Sequence, residues 1–366
     1  MAATGIVFGG LSPEHDISIL TGLQAARTLR DAGDDVAPIY WGKDGRWWRV
    51  PVDSEAASFL TLPVEGAIPL DLVVPGGFVE RKRLRDSPVD LDVVLNCCHG
   101  GPGEDGTLGG LLGLAGLPST GPHPEVCALL MDKLASGAVM AALDVATIPT
   151  VLADEGLDEH RLPPRPWVAK PRYGGSSIGV EVDVDDLSVV LALGRTGTGQ
   201  AGMLVQPYLK GWEDLNIAVR TANGIELSPI ERPLRSGDGA YSYEDKYLTG
   251  TGMDAAPREL PARLPEEVVA AIERAARLVT GEFPLTGAPR LDFLWDGDQQ
   301  VVLNEVNAIP GAWGNHLWRA AGVDRLQLYR DLIVEARGTG PRRPQWVATS
   351  DGRALRSSGS IASKLA

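Results

Sequence analysis

The sequence predicts an α/β protein with more than one domain. Its 366 residues are enough for two or three domains of about 150 residues each. Predicted strands alternate with predicted helices from residue 1 to about 120, as in a parallel α/β layer, and short strands with glycine-rich turns follow. A hydrophobic fraction of 44% and a charged fraction of 22% are ordinary for a globular chain. We therefore expect an N-terminal parallel α/β domain followed by α+β units.

The elements of the N-terminal region, residues 1–121, follow from hydrophobic periodicity. Alternating or continuous short apolar runs indicate strands, and apolar residues at three- and four-residue steps indicate helices. The pattern predicts a strand at 4–8, a helix from 16 to 29, a strand at 36–40, a hairpin turn at 44–45, a strand at 92–98 and a helix at 108–115.

Three further regions follow. Residues 122–210 are expected to form a small α+β unit, with a helix at 131–143 and strands at 147–152, 167–170, 178–184 and 203–208. Residues 211–337 are expected to contain strands at 215–221 and 226–231, a helix at 265–280, a hairpin at 290–307 and helices at 313–321 and 324–337. A polar loop at 235–258 is long enough to be a lid or a binding loop. Residues 338–366, rich in Gly, Ser, Pro and Arg, are expected to be an appended tail.

Charge and cysteine content narrow the function classes. A net charge of -14 and a pI near 4.9 argue against binding to nucleic acid or to an anionic membrane surface, which need clustered Lys and Arg. The three cysteines form neither a disulfide framework nor a metal-binding spacing, which fits a cytoplasmic location. The chain start does not resemble a signal peptide. The most apolar stretch, 135–152, is broken by Asp144 and Pro149, so no membrane span is expected. Small soluble ligands remain.

The segment from Lys170 to Gly179 is a candidate anion site. It places glycines and two serines between two predicted strands, where backbone N–H groups could hold a phosphate. It matches neither the P-loop pattern nor G-x-G-x-x-G. The alternative is an ordinary glycine-rich hairpin turn.

The C-terminal hairpin is a candidate metal site. Glu305 and Asn307 lie two residues apart on one strand and therefore face the same side, as do Arg290 and Asp292 on the other. If the turn at 296–299 has an even number of residues, the carboxylates and the amide converge, and such oxygen ligands suit Mg²⁺ shared with phosphates. The alternative is a solvated strand face.

Single basic residues complete the candidates. Lys133, Lys170 and Lys246 are isolated in sequence and would ordinarily be solvated. Lys170, however, ends an apolar strand directly before the glycine loop, where an ammonium group could meet a phosphate. His99 ends the third strand and is either a hydrogen-bonded structural histidine or a functional residue.

The order of these segments resembles the D-alanine/D-alanine ligases of the ATP-grasp superfamily over about residues 4–337. The matching stretches are FGGLSPEHDISILTG (8–22), HGGPGEDGTLGGLLGLAGLPSTG (99–121), MDK (131–133), VAKPRYGGSSIGV (168–180), YEDKY (243–247), RLDF (290–293) and NEVNAIPG (304–311). The resemblance implies an ATP-grasp fold of two subdomains, 122–210 and 211–337, after the N-terminal domain 1–121.

The resemblance also implies an ATP site. Its members would be Lys133 and Lys170 at the α- and β-phosphates, Ser176 in the loop that closes over them, Gln206, Pro207 and Leu209 at adenine, Glu213 at the ribose hydroxyls, and Lys246 near the γ-phosphate. Two Mg²⁺ ions, with Mn²⁺ as the alternative, would be held by Asp292, Glu305 and Asn307.

The implied substrates are amino acids, with D-alanine as the donor. Glu14 would bind the ammonium of the donor, and hydrogen bonds among Glu14, Ser176 and Tyr247 would close the lid. Arg290 and the Gly311 N–H would form the oxyanion hole for joining an acyl phosphate to the second amine. His99 and the pair His316-Leu317 would lie near the substrates. The family resemblance further suggests a homodimer.

Two departures from the family pattern bear on specificity. His316 stands where the family has a serine that binds the carboxylate of the second amino acid, and Trp313 adds bulk nearby. Gln206 replaces a common Glu. The sequence therefore supports peptidoglycan-type D-alanyl-D-alanine synthesis and an amino-acid ligase of altered acceptor specificity equally well. A non-catalytic ATP-binding regulator is disfavoured, because Arg290 and the Mg²⁺ ligands are all present.

Overall fold

In this computed structural model the N-terminal region is built on a mixed sheet. Its strands are β1 (Ala3–Gly9), β2 (Val36–Trp41), β3 (Trp47–Arg49), β4 (Ile68–Val73), β5 (Gly77–Glu80), β6 (Ser87–Pro88) and β7 (Leu91–Asn96). They lie in the order β6-β5-β4-β3-β2-β1-β7. The helices are α1 (His15–Asp31), α2 (Gly101–Glu104) and α3 (Thr107–Ala115), and a 3₁₀ turn spans Ala56–Leu60.

The expected parallel layer is confirmed for the three strands β7, β1 and β2, whereas β3 to β6 pair antiparallel. The sequence analysis did not predict β4 to β6; β5 and β6 have only four and two residues, and β4 contains a proline at position 69. The parallel pairing of β1 with β7 brings the carboxyl ends of both strands to one edge. The loops that carry Glu14 and His99 therefore meet there.

The central region contains a four-stranded antiparallel sheet in the order β10-β9-β11-β8. Its strands are β8 (Val151–Ala153), β9 (Trp167–Pro171), β10 (Glu181–Val184) and β11 (Met203–Pro207). The helices are α4 (Pro124–Met131), α5 (Lys133–Ala142) and α6 (Leu187–Leu193), with 3₁₀ turns at Glu159–Arg161 and Gly197–Ala201. The strand predicted at 178–184 begins only at Glu181, because the glycine loop extends to residue 180, and the strand predicted at 147–152 is reduced to β8.

The C-terminal region is a second four-stranded sheet in the order β13-β12-β16-β17, beside the two-stranded pair β14-β15. Its strands are β12 (Glu213–Arg220), β13 (Glu226–Leu227), β14 (Arg232–Pro233), β15 (Arg258–Glu259), β16 (Arg290–Trp295) and β17 (Val301–Asn307). The helices are α7 (Glu266–Glu282), α8 (Asn315–Ala320), α9 (Arg325–Thr339) and α10 (Arg353–Ser357), and a 3₁₀ turn spans Gly311–Gly314.

A β-bulge sets the register of the β16–β17 hairpin. The turn spans residues 296–300, so the expectation of an even turn is wrong. With that turn alone Asp292 would lie opposite Asn304. The register shifts by one residue after Phe293, so Asn304 becomes an extra residue and Asp292 pairs with Glu305. The predicted convergence of the two carboxylates is thus confirmed, although the bulge rather than the turn produces it.

One core joins the first and last regions. Buried side chains of β1 and α1 pack in the same cluster as those of β12, α7 and α9, and α9 lies against both β7 and α1. The N-terminal loops are therefore held in a fixed position relative to the β16–β17 hairpin.

The structure describes residues 2–83, 85–234, 257–342, 352–357 and 360. Lys246 and Tyr247 lie outside the described residues, as do most of the predicted loop 235–258 and most of the predicted tail 338–366. None of the helices in the described ranges is long and apolar enough to cross a membrane.

Candidate active site

A cleft of about 1840 Å³, counted to its solvent-open mouth, lies where the three sheets meet. It collects most of the residues that the sequence singled out. Those that line it are Glu14, His99, Lys133, Lys170, Ser176, Gln206, Pro207, Leu209, Arg290, Asp292, Glu305, Asn307, Gly311 and His316. Glu213 and Leu317 are not among its lining residues.

The glycine loop is latched to the N-terminal domain. Glu14 precedes α1, its side chain is buried, and its Oε1 accepts a hydrogen bond from the Ser176 hydroxyl. Ser176 has a positive φ of 52°, a left-handed backbone that a non-glycine residue adopts at some cost. A side chain at Gly175 would meet the Glu14 carboxylate at 3.0 Å. The loop between β9 and β10 is therefore a built cover over the cleft rather than a minimal hairpin turn.

Lys133 is positioned by the residue before it. Asp132 caps α5 by accepting hydrogen bonds from the N–H groups of two residues in its first turn, each at 3.1 Å. The same carboxylate accepts from the Arg172 guanidinium at 2.8 and 2.5 Å. Lys133 Nζ donates to the Gly174 carbonyl and lies 3.7 Å from Glu305 Oε2. This lysine consequently ties the glycine loop to the β17 carboxylate.

Lys170 is a buried cation facing the bulge. Its Nζ donates to Asn304 Oδ1 at 3.1 Å, and only 6% of the residue is exposed. The pKa of Lys170 is lowered to about 8, chiefly by burial; Glu305 opposes this shift and Lys133 adds to it. Lys170 remains largely cationic at neutral pH, as a phosphate ligand must.

The predicted metal ligands share one face of the hairpin. Asp292 accepts two hydrogen bonds from Arg290, at 2.6 and 2.7 Å, and one from Asn307 Nδ2 at 2.9 Å. Glu305 lies opposite Asp292 in the register. No cluster of three or more His, Cys, Asp or Glu in the described part of the chain is arranged to hold a metal. Asp292, Glu305 and Asn307 nevertheless bring two carboxylates and an amide to one face, and oxygen ligands of these types are those that a hard cation prefers when phosphates and water complete its coordination.

Strand alternation places the Glu213 side chain away from the cleft. Glu213 begins β12, and its carboxylate pairs with Arg232 Nη1 at 3.1 Å instead of lining the cleft. The next residue, Asp214, lines the cleft together with Asn216, which pairs with Asp292 across the sheet. Successive residues of a strand face opposite sides. Asp214 is thus the carboxylate on the side that the prediction required.

Gln206 presents an acceptor at the expected adenine position. Its Nε2 donates to Thr150 Oγ1 at 2.7 Å, and the Thr150 hydroxyl donates its own proton to the Ile148 carbonyl at 2.8 Å. Because that proton is already used, Thr150 can only accept from Gln206. The amide orientation is thereby fixed, with Gln206 Nε2 toward Thr150 and the carbonyl oxygen on the other side of the amide.

His316 forms a buried pair with Glu231. The His316 Nε2 lies 3.1 Å from Glu231 Oε2, and Glu231 also accepts from Arg258 Nη1 at 2.9 Å and Asn216 Nδ2 at 3.2 Å. Burial alone would raise the pKa of Glu231, but its contacts with His316, Arg258 and Asn216 outweigh burial and lower the pKa to about 2. Glu231 is therefore a carboxylate at neutral pH.

The bulk of Trp313 does not enter the cleft. Trp313 and Leu317 are fully buried in the main core, and neither lines the cleft. The expected bulk of Trp313 therefore lies in the core and not at the cleft, and the Leu317 side chain packs away from the predicted substrates. Among residues 311–317, Gly311 and His316 line the cleft.

Sequence reasoning missed several cleft residues. No sequence pattern distinguishes Asp214, Glu231 or Arg258. Glu104 and Asn304 lie inside motifs of the family resemblance, 99–121 and 304–311, from which no role was inferred for them. The acidic residue in GGPGEDG was the one available signal for Glu104. The others become visible only when strand register is known.

Known proteins match this architecture. The family model described as D-ala D-ala ligase N-terminus matches residues 3–122, and that described as D-ala D-ala ligase C-terminus matches residues 160–334. A D-alanine--D-alanine ligase of Parasynechococcus marenigrum (strain WH8102) is 31% identical over 91% of this chain and 97% of the relative. One from Streptomyces griseus is 31% identical over 92% and 93%.

Solved structures share the fold. D-alanyl-alanine synthetase A from Vibrio cholerae has a TM-score of 0.76 at 22% identity, covering 92% of this chain and 98% of the other. VanG D-Ala:D-Ser ligase from Enterococcus faecalis has a TM-score of 0.73 at 24% identity, covering 92% and 99%. With the arrangement of the cleft and the matches over nearly the whole sequence, the chain belongs to the D-alanine–D-alanine ligase family of ATP-dependent carbon–nitrogen ligases, with an ATP-grasp fold.

Proposed function

We propose that this chain joins two D-alanine molecules through an acyl phosphate, in an ATP- and Mg²⁺-dependent reaction that supplies peptidoglycan synthesis in the cytoplasm. The observation that carries the proposal is the convergence of opposite charges in one cleft. Lys133 at the start of α5 and Lys170 on β9 approach from the central region, and Asp292 and Glu305 face them from the C-terminal hairpin. Such an arrangement suits a polyphosphate with its cation.

Binding groups for the first amino acid and ATP follow from position. Glu14 would hold the donor ammonium, and the latch to Ser176 would keep the glycine loop closed above it. Lys133 and Lys170 would contact the α- and β-phosphates. We assign the ribose hydroxyls to Asp214 in place of Glu213. Lys246 and Tyr247, which the resemblance places at the γ-phosphate and the lid, remain part of the proposal.

A carboxylate is a poor electrophile for an amine, and ATP solves that problem. The donor carboxylate attacks the γ-phosphorus, ADP leaves, and the resulting acyl phosphate accepts the second amine. As the carbon–nitrogen bond forms, the bond to phosphate breaks, and the departing phosphate can take the proton that the amine releases. Arg290 and the Gly311 N–H would stabilise the tetrahedral oxyanion.

Asp292, Glu305 and Asn307 would hold two Mg²⁺ ions, with Mn²⁺ as the alternative. When bound, the metal would neutralise charge at the phosphates. The side chains themselves orient the site without it, because Asn307 and Arg290 fix the Asp292 carboxylate from two directions. A homodimer is proposed from the family alone.

A second candidate is a ligase with an acceptor other than D-alanine. The buried pair of His316 and Glu231 favours it, because the histidine replaces the serine that the family uses for the acceptor carboxylate. Because Nε2 is engaged by Glu231, the ring can meet a substrate only through Nδ1, whereas a serine hydroxyl both donates and accepts. An acceptor whose polar groups differ from those of D-alanine would suit this subsite.

The test is phosphate release from ATP and Mg²⁺ with D-alanine alone, then with a panel of D- and L-amino acids and hydroxy acids, identifying products by mass. Release with D-alanyl-D-alanine as the product supports the first candidate. Turnover only with another pair supports the second. No release with any pair contradicts both.

A further inference from the structure

Three residues of the N-terminal domain hold the loop that follows β17. Glu104 Oε1 accepts from the backbone N–H of Ile309 at 2.9 Å, and His99 Nδ1 lies 2.8 Å from the Ile309 carbonyl oxygen. Thr21 Oγ1 accepts from the N–H of Ala312 at 3.3 Å and lies 2.8 Å from His99 Nε2. We call Thr21, His99 and Glu104 the Ile309 clamp.

The hydrogen-bond directions in the clamp are determined by chemistry. A carbonyl oxygen only accepts, so His99 Nδ1 carries a proton and donates it to Ile309. In the neutral ring Nε2 then accepts from the Thr21 hydroxyl, and the Thr21 oxygen accepts from Ala312. Burial lowers the pKa of His99, against the opposing effects of Glu14 and the Ile309 carbonyl, which favours this neutral ring. With the ring neutral and Nδ1 protonated, each donor and acceptor on the path from Ile309 through His99 and Thr21 to Ala312 has a partner.

The clamped loop has an unfavourable backbone. Ala312 and Trp313 have φ values of 48° and 55°, in the left-handed region that non-glycine residues avoid, and Gly314 follows at 65°. Such a conformation persists only where the surroundings determine it strongly. Trp313 is anchored in the core on one side, and the clamp fixes Ile309 and Ala312 on the other. Gly311 lies between these fixed points.

We propose that Thr21, His99 and Glu104 are positioning residues that hold the 309–312 backbone so that the Gly311 N–H faces the reacting carbonyl during peptide-bond formation. The inference rests on the proposed function. Both ring nitrogens of His99 are engaged by the protein, so it acts through Ile309 and not by contact with a substrate. The clamp also connects the donor site to the oxyanion loop. Thr21 lies on α1, the helix that directly follows Glu14, and His99 lies in the neighbouring loop.

The role separates the two half-reactions. Acyl phosphate formation depends on the cations and on the metal ligands, whereas attack by the second amine needs the oxyanion hole. Loosening the clamp should therefore leave the acyl phosphate formed but poorly used, so that water hydrolyses it. The measurable sign is more phosphate released per dipeptide formed.

The test compares wild-type protein with Thr21→Val, which keeps the shape and removes the hydroxyl. We expect the ratio of phosphate released to dipeptide formed to rise about fivefold from near one. This is the effect of losing one hydrogen bond that supports attack by the second amine. In the presence of hydroxylamine, which traps an acyl phosphate as a hydroxamate, Thr21→Val should form ADP at nearly the wild-type rate. Thr21→Ser should restore coupling. Thr28→Val is the matched control. Thr28 lies on the same helix, and within the described part of the chain its hydroxyl donates to the Gln24 carbonyl of that helix and not to the clamped loop.

A second variant protects the test against misfolding. Glu104→Gln places an amide against two backbone N–H groups, those of Ile309 and Gly100, and should uncouple the reaction in the same way. Coupling that stays at one phosphate per dipeptide in both folded variants overturns the clamp, as does an equal loss of both half-reactions. Wild-type protein that forms no dipeptide with any amine overturns the proposed function instead, and the clamp proposal with it.

Discussion

The His316 imidazole and the Glu231 carboxylate form a buried contact of 3.1 Å between a residue of α8 and the segment before β14. Carboxylate oxygens only accept, so His316 Nε2 carries a proton in this pair. The ring cannot turn toward an acceptor substrate without leaving Glu231 short of a partner. The His316 substitution therefore cannot be considered separately from Glu231.

Replacing His316→Ser should raise the preference for D-alanine as the acceptor. The serine hydroxyl can donate to a carboxylate as in the family, and we expect about a tenfold gain in kcat/KM relative to competing acceptors, equivalent to roughly 1.4 kcal/mol. Product masses from mixtures of acceptors measure the preference. His160→Ser, at an exposed position, is the matched control. An unchanged acceptor preference would show that His316 does not set specificity.

The double variant His316→Ser/Glu231→Gln removes the charge that the single variant leaves buried. In His316→Ser the Glu231 carboxylate keeps Arg258 and Asn216 but loses one of its three partners, and a buried charge that lacks a partner destabilises a fold. We expect the double variant to melt at a higher temperature than His316→Ser alone. Equal melting temperatures would mean that Arg258 and Asn216 are sufficient partners for Glu231.

Glu231 should make stability depend on pH in the acid range. Its folded pKa of about 2 lies below the ordinary value of 4.5, so its contribution is complete above about pH 4.5 and is lost as the pH falls toward 2. The full shift corresponds to on the order of 3 kcal/mol. Urea unfolding of wild type and Glu231→Gln should therefore differ most at pH 6 to 7 and converge at lower pH. A difference that is constant with pH would contradict the assigned charge.

The sequence predicted the parallel N-terminal strands and the α1 helix, and most of the site residues that it singled out lie in the cleft, because each depends on local periodicity or on a short motif. It did not predict the face of Asp214, since a run of mixed polar and apolar residues at 211–216 leaves the strand start uncertain by one residue. One residue reverses the side of every side chain. The bulge at Asn304 is equally invisible, because it depends on pairing with a distant strand.

Contacts between domains were also beyond sequence reasoning. His99 and Glu104 bond to Ile309, more than 200 residues away, through backbone groups that every residue possesses. No side-chain pattern at 309 marks that partnership. Likewise, the sequence suggests that Trp313 adds bulk near the acceptor, whereas in the structure its backbone is left-handed and its side chain is buried in the core.

The proposed ribose assignment predicts a contrast between adjacent residues. Asp214→Asn should raise the KM for ATP by about five- to tenfold, because a hydrogen bond from a hydroxyl to a charged group is worth roughly 1 kcal/mol more than one to a neutral group. Glu213→Gln should change that KM less than twofold, within the small effect typical of an exposed ion pair. ATP titrations of the initial rate decide between them. The reverse pattern would restore Glu213 to the ribose site.

The hairpin carboxylate Asp292 supports the sharpest test of the metal assignment. Asp292→Asn keeps the size of the side chain and its contact with Asn307, but it removes the charge that Arg290 and a cation would share. We expect kcat to fall by about 100-fold or more at saturating ATP, a loss typical when a group that stabilises the transition state is removed. Some activity should return as Mg²⁺ is raised, because the remaining ligands hold the ion more weakly. Asp296→Asn is the matched control, since that carboxylate accepts only from turn N–H groups among its described contacts. If Asp292→Asn bound ATP and turned over as fast as wild type, the pairing of Arg290 with Asp292 would be structural, and the cation would have to lie elsewhere in the cleft.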